Sequence, residues 1–152
     1  MFHKYRYEAE FYPKLSRLPL DVRRKLDVTG MKLSLKDWLA FDLEERQVLC
    51  HLPCDTEEEQ LVFAEYLSFL SKKHRGSTVE KLAAMDAGVW EAGKVPAAVA
   101  QKSAELQASV SAEEWNLWPA HHRYALYKTA ASKAQPEAFE QVLQQLRALR
   151  KI

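Results

Sequence analysis

The fold is decided by a short stretch of sequence that occurs twice. Residues 34–38 read SLKDW, and residues 111–115, which lie 77 positions later, read SAEEW. In each copy a serine is followed three positions on by an acidic residue, a pattern typical of a helix N-terminus. A tryptophan ends each copy, and an arginine follows it eight positions later, as Arg46 and as Arg123. Cap, tryptophan and arginine in one register indicate an internal duplication, in which Trp38 and Trp115 are expected to be equivalent core residues.

The same register extends to both sides of this stretch. Pro19 aligns with Pro96, and beyond Pro53 one deletion reduces the shift to 76 positions. The apolar pairs brought into line are Val22 with Val99, Leu49 with Leu126, Phe63 with Phe139, Leu67 with Leu143 and Leu70 with Leu146. These are positions that determine packing, so the repeat predicts two similar units, at residues 18–72 and 95–148, within a single domain of residues 1–152.

Both units are predicted to be all-α. Pro19 is suited to a helix start and Gly30 to a helix end. Two further start signals, at residues 42–45 and 56–59, resemble capping boxes. Apolar side chains then recur at helical spacing from residue 62 onward.

Two segments lie outside the repeat. The joining segment, residues 73–94, is predicted to contain a short helix that begins near Ser77. Residues 2–12 alternate aromatic and polar side chains. This alternation predicts a short extended N-terminal arm, with one edge strand as a further possibility.

The composition is that of an ordinary globular protein. Apolar residues make up 47% of the 152 residues, charged residues make up 28%, and the net charge is +1. This balance provides no overall attraction to nucleic acid or to an anionic membrane. The sequence contains neither a long apolar run nor a secretory signal. Two cysteines do not form a disulfide scaffold. We therefore expect a cytoplasmic protein with reduced thiols.

Few residues suggest a metal or catalytic site. Residues 50–54 read CHLPC, which supplies only half of a zinc site and lacks the C-x-x-C spacing of a redox motif. His121 and His122 are adjacent on a helix, where side chains point about 100° apart, so we expect a solvated pair. No nucleophile arrangement or phosphate loop is present. The sequence predicts a protein that is not an enzyme and has no metal or cofactor.

A nucleic-acid-binding regulator is the alternative function. The basic residues 23–25, the turn at Gly30 and the helix after Ser34 resemble a helix-turn-helix motif. Against this, Asp37 and Trp38 occupy positions where base-reading side chains would lie, and the domain is not basic. We therefore do not expect nucleic acid to be a partner.

The two copies differ at one boundary between helices. Residues 52–55 read LPCD in the first copy, where the second has TAAS at residues 129–132. Residues 44–45 are likewise EE in the first copy and HH in the second. Since duplicated folds often specialise one copy, this boundary is the candidate contact surface. Its predicted residues are Leu52, Pro53, Cys54, Asp55, Glu57 and Glu58.

Two stretches carry a resemblance to a known family. Residues 18–38 read LPLDVRRKLDVTGMKLSLKDW, and residues 52–58 read LPCDTEE. Together they resemble the nitrate reductase-associated protein family, and the LPCDT string is the most specific part. The resemblance covers nearly the whole chain and supplies no catalytic residue. It implies an accessory role in nitrate assimilation, by binding nitrate reductase or aiding its maturation.

Overall fold

The computed structural model describes residues 1–150, and in that range the chain is all-α, as the sequence predicts. The α-helices of this range are α1 (Leu20–Thr29), α2 (Leu35–Ala40), α3 (Leu43–His51), α4 (Glu57–Arg75), α5 (Ala97–Glu105), α6 (Ala112–Leu117), α7 (Ala120–Ala131) and α8 (Ala138–Arg150). None of the helices in this described range has the length and apolar character needed to cross a membrane.

The chain divides into two compact units. Unit one contains residues 1–4 and 8–86 and includes α1 to α4; unit two contains residues 5–7 and the chain from residue 87 onward, including α5 to α8. In unit one, α1 packs against α3 and α4, and in unit two α7 packs against α5 and α8.

The helix boundaries of unit one follow from local signals in the sequence. The Ser34 hydroxyl accepts a hydrogen bond from the backbone N–H of Asp37 at 3.1 Å, which caps α2. Gly30 ends α1 with a φ of 72°, a left-handed conformation that glycine adopts at little cost. An added Cβ at Gly30 would lie 2.3 Å from the carbonyl oxygen of Leu82, so the position also lacks room for a side chain.

A tryptophan and an arginine anchor unit one at its centre. Trp38 is fully buried, and its indole N–H donates to the backbone carbonyl of Leu15 at 2.7 Å. The Arg46 guanidinium donates to the same carbonyl at 2.9 Å and to that of Lys14 at 3.1 Å. Two helices, α2 and α3, are thereby tied to the loop that precedes α1. We call this arrangement the Trp–Arg anchor of unit one.

Unit two contains the corresponding contacts. Trp115 is fully buried, and its indole N–H donates to the backbone carbonyl of Glu91 at 2.8 Å. Arg123 donates to the carbonyl of Trp90 at 2.8 Å and also to that of Trp118. The predicted burial of both tryptophans is therefore confirmed. The carbonyls of Trp90 and Glu91 again belong to the segment that precedes the first α-helix of the unit.

These shared contacts support the internal duplication. Gln107, which lies 77 positions after Gly30, also has a positive φ, of 54°. Ser111 caps α6 by accepting from the N–H of Glu114 at 3.1 Å, the same distance as in the Ser34 cap. The duplication itself stays a prediction, and the superposition of residues 18–72 on residues 95–148 is its direct test.

The joining segment differs from the sequence prediction. No helix begins at Ser77; instead Lys81 pairs with Met31 in an isolated antiparallel bridge. The N–H of Leu82 donates to the carbonyl of Gly30, and the N–H of Met85 donates to that of Asp27, at 2.6 and 2.8 Å. The backbone N–H groups of Leu82 and Met85 thus bond to carbonyls at the end of α1 and are not available to a helix within the joining segment. A 3₁₀ helix (Ala87–Trp90) follows.

The N-terminal arm is not extended along its length, since residues 9–12 form turns. A 3₁₀ helix (Arg6–Glu8) interrupts it, and among the described residues no edge strand forms there. Glu8 holds the arm against α1. Its carboxylate accepts from the backbone N–H of Leu20 at 2.9 Å and from the Tyr12 hydroxyl at 2.8 Å. Glu8 caps α1 because Pro19 has no side-chain group that could do so. Burial raises the pKa of Glu8 to about 7.

The Trp–Arg anchor of unit one predicts a non-additive pair of substitutions. Either Trp38→Phe or Arg46→Met alone should lower the free energy of unfolding by about 1 kcal/mol, because the Leu15 carbonyl keeps one donor. The double variant should lose about 1 kcal/mol more than the sum of the two, because a buried carbonyl then has no donor. Urea denaturation of the four proteins measures this coupling, and simple additivity would contradict the shared-acceptor account.

Candidate interaction surface

The candidate surface is a corner between two helices in unit one. Leu52 ends α3, Pro53 follows, and Thr56 caps α4. The Thr56 hydroxyl accepts from the backbone N–H of Glu59 at 3.1 Å, and the Glu59 carboxylate accepts from the N–H groups of Thr56 and Asp55 at 3.0 Å each. This reciprocal capping box fixes the corner, as the sequence predicts.

The predicted contact residues differ in their accessibility. Pro53, Asp55, Glu57 and Glu58 are exposed, whereas Leu52 is half-buried and packs against the core. Cys54 is only 1% exposed and lies beneath the surface. A partner that docks on this corner would therefore meet the proline and the three carboxylates.

A buried basic pair lies beneath the corner. Arg24 donates to the Asp21 carboxylate at 2.9 Å and to the Asp55 carboxylate at 3.3 Å. Lys25 is fully buried and donates to the backbone carbonyls of Cys50 and Leu49 at 2.6 and 3.3 Å. Burial lowers the pKa of Lys25, and the Asp21 carboxylate opposes that effect. Lys25 thus supplies hydrogen-bond donors to carbonyl groups in the last turn of α3, which lack partners within the helix.

The burial of this pair weakens the nucleic-acid alternative. Two of the three basic residues of the motif, Arg24 and Lys25, are buried, with only 6% and 0% of each exposed, so neither can contact a phosphate backbone. Arg23 alone of the three is exposed. Trp38, in the second helix of the motif, is buried as well and is therefore not available to contact base edges.

The two cysteines are free and buried in the core of unit one. Burial raises the pKa of the Cys50 thiol to about 12 and that of the Cys54 thiol to about 11. A thiol with such a pKa is protonated at neutral pH and is a poor nucleophile and metal ligand.

One group of side chains in the described range has the composition of a metal site. The ligand atoms of Asp42, Glu45 and His74 all lie within 4.8 Å of one another. However, one Glu45 oxygen lies 2.7 Å from Nε2 of His74, and the other accepts from Nζ of Lys73 at 2.9 Å. Although burial opposes it, hydrogen bonds from Lys73 and from the N–H of Asp42 hold the pKa of Glu45 at about 2. The group is better described as an ion-pair network than as a cation site.

The rings of His121 and His122 contact each other. Their ring centroids are 4.4 Å apart in a T-shaped contact, and both residues are half-buried rather than solvated. His122 also lies near the ring of Tyr5, which belongs to the same unit, at 6.2 Å. Within residues 1–150 the pair belongs to no set of three metal-ligating side chains.

Comparison with known proteins identifies the family. A family model described as a conserved nitrate reductase-associated protein matches residues 4–146. The chain belongs to this family. The resemblance seen in residues 18–38 and 52–58 is thereby confirmed, and the match extends over both units. The name of the nitrate reductase-associated protein family points to association with nitrate reductase. No curated protein and no solved structure matches the chain.

The ion-pair account of Glu45 predicts the behaviour toward metals. The purified protein should hold no stoichiometric zinc or iron, because Lys73 occupies the carboxylate that a metal would need. Added zinc should then leave the unfolding temperature of the wild type and of Glu45→Gln unchanged, since a ligand that does not bind cannot stabilise. Elemental analysis that finds one metal per chain, or zinc stabilisation of the wild type that Glu45→Gln abolishes, would contradict this account.

Proposed function

We propose that this nitrate reductase-associated protein is a non-catalytic accessory or maturation factor that binds nitrate reductase in the cytoplasm. The observation that carries the proposal is the acidic corner, which we define as Pro53, Asp55, Glu57 and Glu58. It projects from the part of the chain that carries the LPCDT string. The family name supplies the identity of the partner.

The corner is suited to binding because it is already rigid. The capping box of Thr56 and Glu59 fixes the backbone on the α4 side of the corner. On the α3 side, Lys25 donates to the carbonyl of Cys50. A surface that is ordered before binding loses little conformational entropy when a partner docks. The corresponding stretch of the second copy, residues 129–132, has neither the proline nor an acidic residue.

Charge defines the chemistry of the expected partner surface. The Asp55 carboxylate is 70% exposed but already pairs with Arg24. Glu57 and Glu58 are the exposed first-turn carboxylates next to it. They would steer a basic patch of nitrate reductase toward the corner and set its register there.

The non-catalytic part of the proposal rests on the polar groups of the described chain. The buried thiols are protonated at neutral pH, and Lys25 and Arg24 are used to hold α3 and Asp21. Each polar cluster described above is accounted for by a structural contact. Free, buried cysteines are also what a reducing compartment favours.

Charge reversal at the corner tests the proposal. Glu57→Lys with Glu58→Lys should leave the fold intact, because exposed changes of this kind cost about 1 kcal/mol even with the helix dipole included. Glu59 is left unchanged because it completes the capping box. Binding to immobilised nitrate reductase should weaken about tenfold or more at low salt, and the loss should shrink as added salt screens the charges.

A matched variant controls for net charge. Glu137→Lys with Glu140→Lys introduces the same charge change at the start of α8, where both residues are exposed. This variant should bind nitrate reductase like the wild type. The corner is not the contact if the corner variant binds normally while folded. The binding function itself fails if the wild type shows no binding at all.

A further inference from the structure

Helix α4 carries an apolar stripe that nothing in unit one covers. Val62 is 53% exposed and Phe69 is 59% exposed. Between them, Tyr66 stacks on Phe69 with ring centroids 6.3 Å apart. Large apolar side chains that cluster on a surface are typical of interaction sites.

The two ends of this stripe carry opposite charges. Glu58 lies four positions before Val62, and Lys73 lies four positions after Phe69. At 100° per residue the four side chains occupy an arc of about 60° on one face of α4. Their spacing is symmetric about a point between Glu65 and Tyr66. An acidic end, an apolar centre and a basic end thus lie on a single line.

We infer that this face of α4 binds the same face of a second copy of the chain, in antiparallel orientation. A twofold axis between Glu65 and Tyr66 places Val62 against Phe69 of the second copy and Phe69 against its Val62. The same axis places each Glu58 opposite the Lys73 of the other copy. Such a contact is isologous and closes on itself.

Charge complementarity selects a second copy as the occupant. Reversing the direction of the helix brings its acidic end onto a basic end, whereas a parallel arrangement would oppose like charges. Lys73 already donates to Glu45 at 2.9 Å, but an ammonium group has three donors and its side chain is 49% exposed. Glu65 faces Tyr66 of the second copy in this register, where the carboxylate can accept from the phenol hydroxyl.

The dimer requires no contribution from nitrate reductase, although Glu58 borders both surfaces. The tests below therefore leave Glu58 unchanged. One helix pair falls at the small end of the range of interface sizes, and a weak, reversible dimer is expected.

Sedimentation velocity provides the first test. The wild type should shift from monomer toward dimer as its concentration rises from about 10 to about 500 μM. Phe69→Glu should remain monomeric throughout this range. Leu117→Glu, at a residue of α6 that is 67% exposed, should dimerise like the wild type. A wild type that stays monomeric, or a Phe69→Glu protein that still dimerises, would overturn the inference.

Cysteine cross-linking tests the register. Val62→Cys and Phe69→Cys are prepared separately, mixed and treated with oxidised glutathione. The mixture should form a covalent dimer, because the two positions face each other across interaxial distances of about 8–10 Å with their side chains pointing inward. Each variant alone should cross-link poorly, since like positions are offset by about 10 Å along the helix axes. Cys50 and Cys54 are buried and should not compete.

Equal cross-linking of the mixture and of the single variants would overturn the antiparallel register. The Phe69→Glu variant also tests whether nitrate reductase, instead of a second copy of the chain, covers the stripe. If this variant is folded and monomeric like the wild type but loses binding to nitrate reductase, the stripe belongs to the reductase contact and the dimer is excluded.

Discussion

The buried carbonyl of Leu15 is the acceptor on which unit one depends. It receives hydrogen bonds from the Trp38 indole and from the Arg46 guanidinium, which come from two different helices. Both donors belong to large side chains. The same side chains therefore bury apolar surface and give the buried carbonyl its hydrogen bonds. Unit two uses Trp115 and Arg123 for the same purpose on the carbonyls of Glu91 and Trp90.

From this anchor the geometry of the acidic corner follows step by step. Arg46 belongs to α3, so the anchor sets the position of that helix. Lys25 then takes up the last carbonyls of α3 from α1, and Pro53 prevents the helix from continuing. The capping box at Thr56 starts α4 at once. Glu57 and Glu58 consequently project from a backbone that is fixed on both sides.

The features predicted from sequence are those that depend on neighbours close in the chain. Serine caps, capping boxes and glycine ends need partners only three or four residues away, and the caps at Ser34, Thr56 and Ser111 formed as predicted. The all-α class followed from the same signals. The repeat added one non-local inference, the burial of Trp38 and Trp115, because two copies of an aromatic position in one register mark the core.

What could not be predicted depends on partners far away in sequence. From the sequence alone, Lys25 is expected on the surface, because its acceptor, the carbonyl of Cys50 at the end of α3, lies 25 residues later in the chain. The role of Glu8 likewise depends on a distant partner, the backbone N–H of Leu20. The helix expected at Ser77 does not form, because N–H groups of that segment donate to the carbonyls of Gly30 and Asp27 at the end of α1. At the corner, Glu57 and Glu58 are exposed, as a contact surface requires, whereas the burial of Cys54 depends on packing within the core cluster.

Hydrogen–deuterium exchange with and without nitrate reductase tests the central claim most directly. In the free protein the first-turn N–H groups of Glu57 and Glu58 lack intrahelical partners and should exchange rapidly. Our account predicts that nitrate reductase slows exchange at residues 53–60 and leaves α8 unchanged. Unchanged exchange at the corner, together with protection confined to other helices, would contradict it.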